Sequence, residues 1–141
     1  MDIRPLTPHY AVAPQIEPSD LSRLRAEGYS CVICNRPDAE NPGPMQMASM
    51  AEAAREAGLS FVYNPVTPGA ITDENARIQR ETCDKAAGPV LAYCASGNRS
   101  SIVWALSRAR DEPAEALIRT AGRFGYDLEP FRTRIEALAR G

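Results

Sequence analysis

A cysteine, a glycine and an arginine fall within six residues of one another in the stretch YCASGNRSS, Tyr93 to Ser101. An apolar run (PVLAY) precedes it and a second (SIVWAL) follows it. A strand that runs through a glycine-containing loop into a helix N-terminus makes an anion site, because backbone N–H groups point inward and the helix dipole favours negative charge. Cys94 is then a candidate nucleophile, since a thiolate is stabilised by the same dipoles without help from a histidine. Ala95, Ser96, Gly97, Asn98 and Arg99 supply the expected N–H donors. The Arg99 guanidinium closes the ring with a fork that fits an oxyanion. Gly97 permits a tight turn, and the Ser100 hydroxyl is expected to donate to the thiolate or assist a leaving group. The plainer reading is a small buried cysteine, a surface arginine and an ordinary turn. The joint spacing Cys-x-Ser-Gly-x-Arg-Ser argues against it.

The elements that must hold this loop alternate between strand and helix. Tyr10–Ala13, Tyr29–Cys34, Leu59–Tyr63 and Pro89–Tyr93 read as strands. Helices are predicted from Pro18 to Glu27, stopped by Gly28, and from Met45 to Ala57, stopped by Gly58. A third begins at the N-cap Thr72 and ends before Gly88. Others cover Ser101–Arg110, the segment after Glu112-Pro113, and Glu129–Arg140. In the second helix Met47, Met50, Ala51 and Ala54 recur at helical spacing, as core residues do. Such an order predicts an α/β fold, a parallel central sheet flanked by helices. Ligands in open sheets of this kind bind beyond the carboxyl ends of the strands. The loops 35–44, 64–70 and 94–99 are therefore predicted to converge.

With 141 residues, 44% hydrophobic and 24% charged, the chain fits one soluble domain, residues 1–141. Neither a signal segment nor a membrane-spanning run is apparent, which predicts a cytoplasmic protein with no membrane partner. A net charge of −2 argues against nucleic acid. No cofactor is expected, and no metal. Cys31 and Cys34 form a CxxC, but in a strand residues three apart face opposite sides, and the single histidine, His9, is remote. Cys83 is read as a core residue in preference to a resolving thiol.

The loop CASGNRS resembles the active-site loop of rhodanese-type sulfur transferases. As a whole the chain resembles the bacterial phosphatase-like domain family associated with beta-lactamase-hydrolase-like proteins, through DIRPLTPHYAVAPQI, EGYSCVICNRPDAE, EAAREAGLSFVYNPV, GPVLAYCASGNRSSIVWAL and GYDL. The resemblance implies a three-layer sandwich like that of the dual-specificity phosphatases, with Cys94 as nucleophile and Arg99 as the anion-binding arginine. Members are described both as atypical phosphatases and as sulfur transferases.

Two features bear on phosphorus against sulfur. Cys94 to Arg99 is Cys-x4-Arg, one residue shorter than the Cys-x5-Arg of cysteine phosphatases, and a smaller ring suits a persulfide better than a tetrahedral phosphate. Phosphoryl transfer also needs a proton donor, and NPVTPGA carries no carboxylate. Asp38 and Glu40 are candidate acids, although turn chemistry and a salt link to Arg36 explain them equally well. Asp73 and Glu74 suit a helix start. The sequence is therefore read first as a cysteine-dependent sulfur transferase with a P-loop-like anion site. In that reading a Cys94 persulfide forms from thiosulfate or another persulfide, Arg99 and Arg36 bind the anionic donor, and an acceptor thiol removes the sulfur. The alternative is an atypical phosphatase acting on a phosphate ester through phosphocysteine, with Asp38 or Asp73 as acid. A non-catalytic anion- or persulfide-sensing module is the third reading.

Overall fold

Each of the four apolar runs forms a strand of four residues: β2 (Tyr10–Ala13), β3 (Cys31–Cys34), β4 (Ser60–Tyr63) and β5 (Val90–Tyr93). These strands are parallel, in the order β2-β5-β3-β4, so the strand leading to Cys94 has a neighbour on each side. The computed structural model describes residues 1–141. It adds one strand for which the sequence carries no clear signal, β1 (Arg4–Thr7), antiparallel to β2 at the sheet edge. Its proline is tolerated there because an edge strand leaves one row of N–H positions unpaired. The sheet is thus mixed, not wholly parallel.

Side-chain alternation along the strands divides the core in two. Tyr10, Val12, Cys31, Ile33, Val90 and Ala92 pack on one face, under α3 (Asp73–Lys85), α4 (Asn98–Ser107), α5 (Ala114–Gly122) and α6 (Arg132–Ala139). Ala11, Ala13, Val32, Cys34, Leu91 and Tyr93 face the other way, under α1 (Leu21–Ala26) and α2 (Met47–Ala57). Cys31 and Cys34 therefore lie on opposite faces, as the strand reading requires. Of the stripe read as core, Met50 and Ala54 are fully buried, whereas Met47 and Ala51 are only half-buried. No helix is long and apolar enough to cross a membrane.

Most boundaries move by one to three residues. Short 3-10 turns, Pro18–Asp20 and Glu129–Phe131, open the segments that become α1 and α6. Two more, Asp38–Glu40 and Gly43–Met45, give loop 35–44 its own structure and delay α2 to Met47. The consequential shift is in α4. It starts at Asn98, not Ser101, which places Arg99 and Ser100 in its first turn. From Arg99 to Ser107 every residue of that helix is buried, as expected for a helix packed on all sides.

Candidate active site

Cys94 is the first residue beyond β5, 1% exposed. Ala95 and Ser96 continue the loop, Gly97 turns it with a φ of +93°, and α4 begins at once. The Gly97 N–H points at Cys94 Sγ, 3.1 Å away. Asn98 N–H donates instead to Ser96 Oγ, at 3.2 Å, so Asn98 leaves the expected donor set. The N–H groups of Ala95, Ser96, Arg99 and Ser100 have no acceptor within the chain. Ser100 thus joins that set by its backbone. Four donors without internal acceptors thus lie within six residues of a buried thiol, the supply that an anion loop needs.

Arg99 ties the loops together. Its Nη1 donates to Val66 O and to Glu40 Oε2, and its Nη2 to Glu40 Oε1, each at 2.8 Å. Glu40 lies in loop 35–44 and Val66 in loop 64–70, so the predicted convergence is present. A fourth loop, between β2 and α1, also takes part: Gln15 N–H donates to Ala95 O at 3.4 Å. Arg36 stands on the far side of Glu40, with Nε 3.1 Å from Oε1 and Nη1 3.2 Å from Gln15 Oε1. The Glu40 carboxyl is held below the usual carboxylate range, first by the hydrogen bond from Arg99 and, against a smaller opposing effect of burial, by that from Arg36. Reciprocally, the same bond raises the Arg99 guanidinium.

Ser100 corrects an expectation. Its hydroxyl donates to Asn35 Oδ1 at 2.9 Å, not to the thiol. Asn35 belongs to a buried amide cluster under the loops. Its Nδ2 donates to Asn64 O and Gln79 Oε1, and Asn64 Nδ2 donates to the same Gln79 oxygen. Gln79 Nε2 donates to Tyr10 OH, which in turn donates to Ser100 O.

Of the candidate acids, Asp38 and Asp73 each have a partner away from the thiol. Asp38 Oδ1 accepts from Met47 N–H at 2.7 Å, capping the start of α2. Asp73 pairs with Arg134 at 3.0 Å and is largely exposed. Burial pushes the Cys31 and Cys83 thiols up to about 11, which keeps them protonated and poorly nucleophilic near neutral pH.

Two contributors were not legible beforehand. Tyr126 OH donates to Ser96 O at 2.9 Å and lies against Gly97, where a Cβ would collide with the ring hydroxyl. Gln79 sits on the weakly apolar face of α3. Glu40 was read as a candidate acid or a partner for Arg36, and not as the partner of Arg99, because that pairing spans 59 residues.

A family model described as the phosphatase-like domain of beta-lactamase hydrolase-like protein matches residues 2–111. A beta-lactamase hydrolase-like protein of Agrobacterium fabrum (strain C58) is 33% identical over 100 residues, which cover 71% of this chain and 23% of that protein. Another, from Xylella fastidiosa (strain Temecula1), is 30% identical over 133 residues, covering 91% of this chain and 30% of that protein. The chain thus spans about a quarter to a third of the length of these relatives. Among solved structures, a candidate phosphatase from Neisseria meningitidis Z2491 has a TM-score of 0.83 at 34% identity, covering 98% of this chain and 99% of that one. A candidate phosphatase from Shewanella putrefaciens CN-32 has 0.70 at 18%, covering 97% and 85%. PTPMT1 has 0.73 at 17%, covering 99% of each chain. The last two share the fold, which is the phosphatase-like three-layer sandwich.

Proposed function

The chain belongs to the phosphatase-like domain family of the beta-lactamase hydrolase-like proteins, and from that premise we propose that it hydrolyses phosphate monoesters through a cysteine nucleophile. This reverses the order of the two sequence-based readings. The observation that carries it is the set of four N–H groups without acceptors around Cys94, with the Arg99 guanidinium beside them. Such a set matches the equatorial oxygens of a phosphoryl group in transfer.

In the first step the Cys94 thiolate attacks phosphorus in line, an S–P bond forms and the P–O ester bond breaks. The leaving oxygen takes the electron pair and then a proton from solvent water. The N–H groups of Ala95, Ser96, Arg99 and Ser100 and the Arg99 fork hold the phosphoryl oxygens. In the second step water attacks phosphorus, the S–P bond breaks and inorganic phosphate leaves with the thiolate restored. Asp38 and Asp73 are both engaged elsewhere, so substrates whose leaving oxygen needs little protonation, aryl phosphates, should turn over far faster than alkyl phosphates.

Sulfur transfer remains the second reading, favoured by the four-residue spacing and by those occupied carboxylates. One comparison separates them. Aryl phosphate hydrolysis should be abolished in Cys94→Ser, while incubation with thiosulfate adds no mass to the wild type. Gain of one sulfur atom with thiocyanate formation from cyanide, and no hydrolysis, would reverse the assignment.

A further inference from the structure

The hydrogen bond from Gly97 N–H to Cys94 Sγ, 3.1 Å long, leaves from a peptide whose other end is also held. In a trans peptide the C=O of one residue and the N–H of the next point in opposite directions. The Ser96 C=O accepts from Tyr126 OH at 2.9 Å. With that oxygen drawn towards Tyr126, the Gly97 N–H on the far side of the same plane is aimed at the sulfur. Tyr126 lies outside residues 2–111, the part of the chain that the family model matches. Its place is fixed by the end of α5, where Tyr126 N–H donates back to Ala121 O at 3.3 Å.

The proton of the Tyr126 hydroxyl is directed from the other side. Arg4 Nη1 donates to that oxygen at 2.5 Å. A guanidinium has donors only, so the phenol accepts from Arg4 and gives its one proton to Ser96 O. Arg4 in turn is held by Asp2, whose Oδ2 accepts from Nε at 3.1 Å and from Nη2 at 2.5 Å. A chain of donors therefore runs one way, from Arg4 through Tyr126 and the Ser96–Gly97 peptide to sulfur, and each bond polarises the next. We propose that Tyr126 is a positioning residue for the nucleophile: with its proton directed by Arg4, it orients the Ser96–Gly97 peptide so that the Gly97 N–H stabilises the Cys94 thiolate. The proposal rests on the reading of Cys94 as nucleophile, but thiolate formation is measured without any phosphate ester.

The titratable or charged groups that face the thiol from the elements around it are Tyr10 of β2, Cys34 of β3, Arg99 of α4 and Tyr126 itself. Burial pushes Tyr10, Cys34 and Tyr126 upwards, and the hydrogen bond with Glu40 raises Arg99. Glu40, the partner of Arg99, is held below the usual carboxylate range. None of these groups changes charge between about pH 5 and pH 8. Alkylation by iodoacetamide across that range, read by mass spectrometry of the Cys94 peptide, therefore reports the thiolate of Cys94 alone. Tyr126→Phe keeps the ring and removes the hydroxyl. Its alkylation midpoint should lie about one pH unit above that of the wild type, since a hydrogen bond to a charged group is worth about that much. Arg4→Met keeps the stem and lets the phenol proton turn away, so it should move the midpoint the same way by less. An unchanged or lower midpoint in Tyr126→Phe would overturn the proposal and make Tyr126 a packing residue. If Tyr126→Phe does not fold, Arg4→Met decides in its place: an upward shift upholds the positioning role and no shift overturns it. An upward shift without any aryl phosphate hydrolysis by the wild type would leave that role standing and remove the phosphatase reading. Cys94-dependent hydrolysis with an unmoved midpoint would do the reverse.

Discussion

Gly97 shows what a single residue contributes to the loop. Its φ of +93° is a conformation that an L side chain adopts only with strain, and a Cβ there meets Tyr126. Replacement by Ala should cost about 1–2 kcal/mol from the backbone conformation alone, and relief comes only by moving the loop or the ring. Gly97→Ala is therefore expected to remain folded by circular dichroism and to lose most of its aryl phosphate turnover; full activity would show that the turn is not needed. At this scale the sequence was informative for Cys94, Gly97 and Arg99, because their spacing is local. It was silent on Glu40 as partner of Arg99 and on Tyr126, whose contacts depend on chain folded back from 59 and 30 residues away.

Among the elements, α3 is the one whose role changes most between sequence and structure. Its apolar face is thin because Gln79 and Asn75 occupy it, and both are spent on Asn64 and its loop. Gln79 also reaches Asn35 and Tyr10, so a single side chain joins two of the convergent loops to the sheet. Substituting leucine takes one of the two acceptors from each of the Asn35 and Asn64 amide nitrogens, each unsatisfied buried donor costing about 1–3 kcal/mol. Gln79→Leu should lower stability by roughly 3 kcal/mol in urea titration and reduce kcat more than it raises KM for an aryl phosphate. A change confined to KM would place the network outside the catalytic step. Periodicity revealed the helices and strands well, since burial imposes it directly. It could not reveal β1, whose short edge segment is only partly buried, or the early start of α4, where polar Asn98, Arg99 and Ser100 look like loop until their N–H groups and side chains find their places.

At the scale of the molecule, the two-sided sheet makes the strands the common wall of both cores. Leu91 in the central strand is 0% exposed and packs among Ala11, Val32 and Tyr93 on the face under α1 and α2. Leu91→Ala should destabilise by about 2–5 kcal/mol, as large-to-small changes in a rigid core do, and chemical denaturation would register it; a loss under 1 kcal/mol would mean that the core collapses around the gap. The buried polar contacts behave differently from this apolar wall, since they are few and directional. Tyr126 OH both donates to Ser96 O and accepts from Arg4 Nη1, 122 residues earlier in the chain. Beneath the loop, then, the first strand and the segment following α5 are stitched together. Contacts of such high sequence separation are formed late, after loop-closure entropy has been met by the rest of the fold. During synthesis the sheet and α4 can be in place while the underside of the cysteine loop is still open, so competence to hold an anion should be among the last properties the newborn chain acquires.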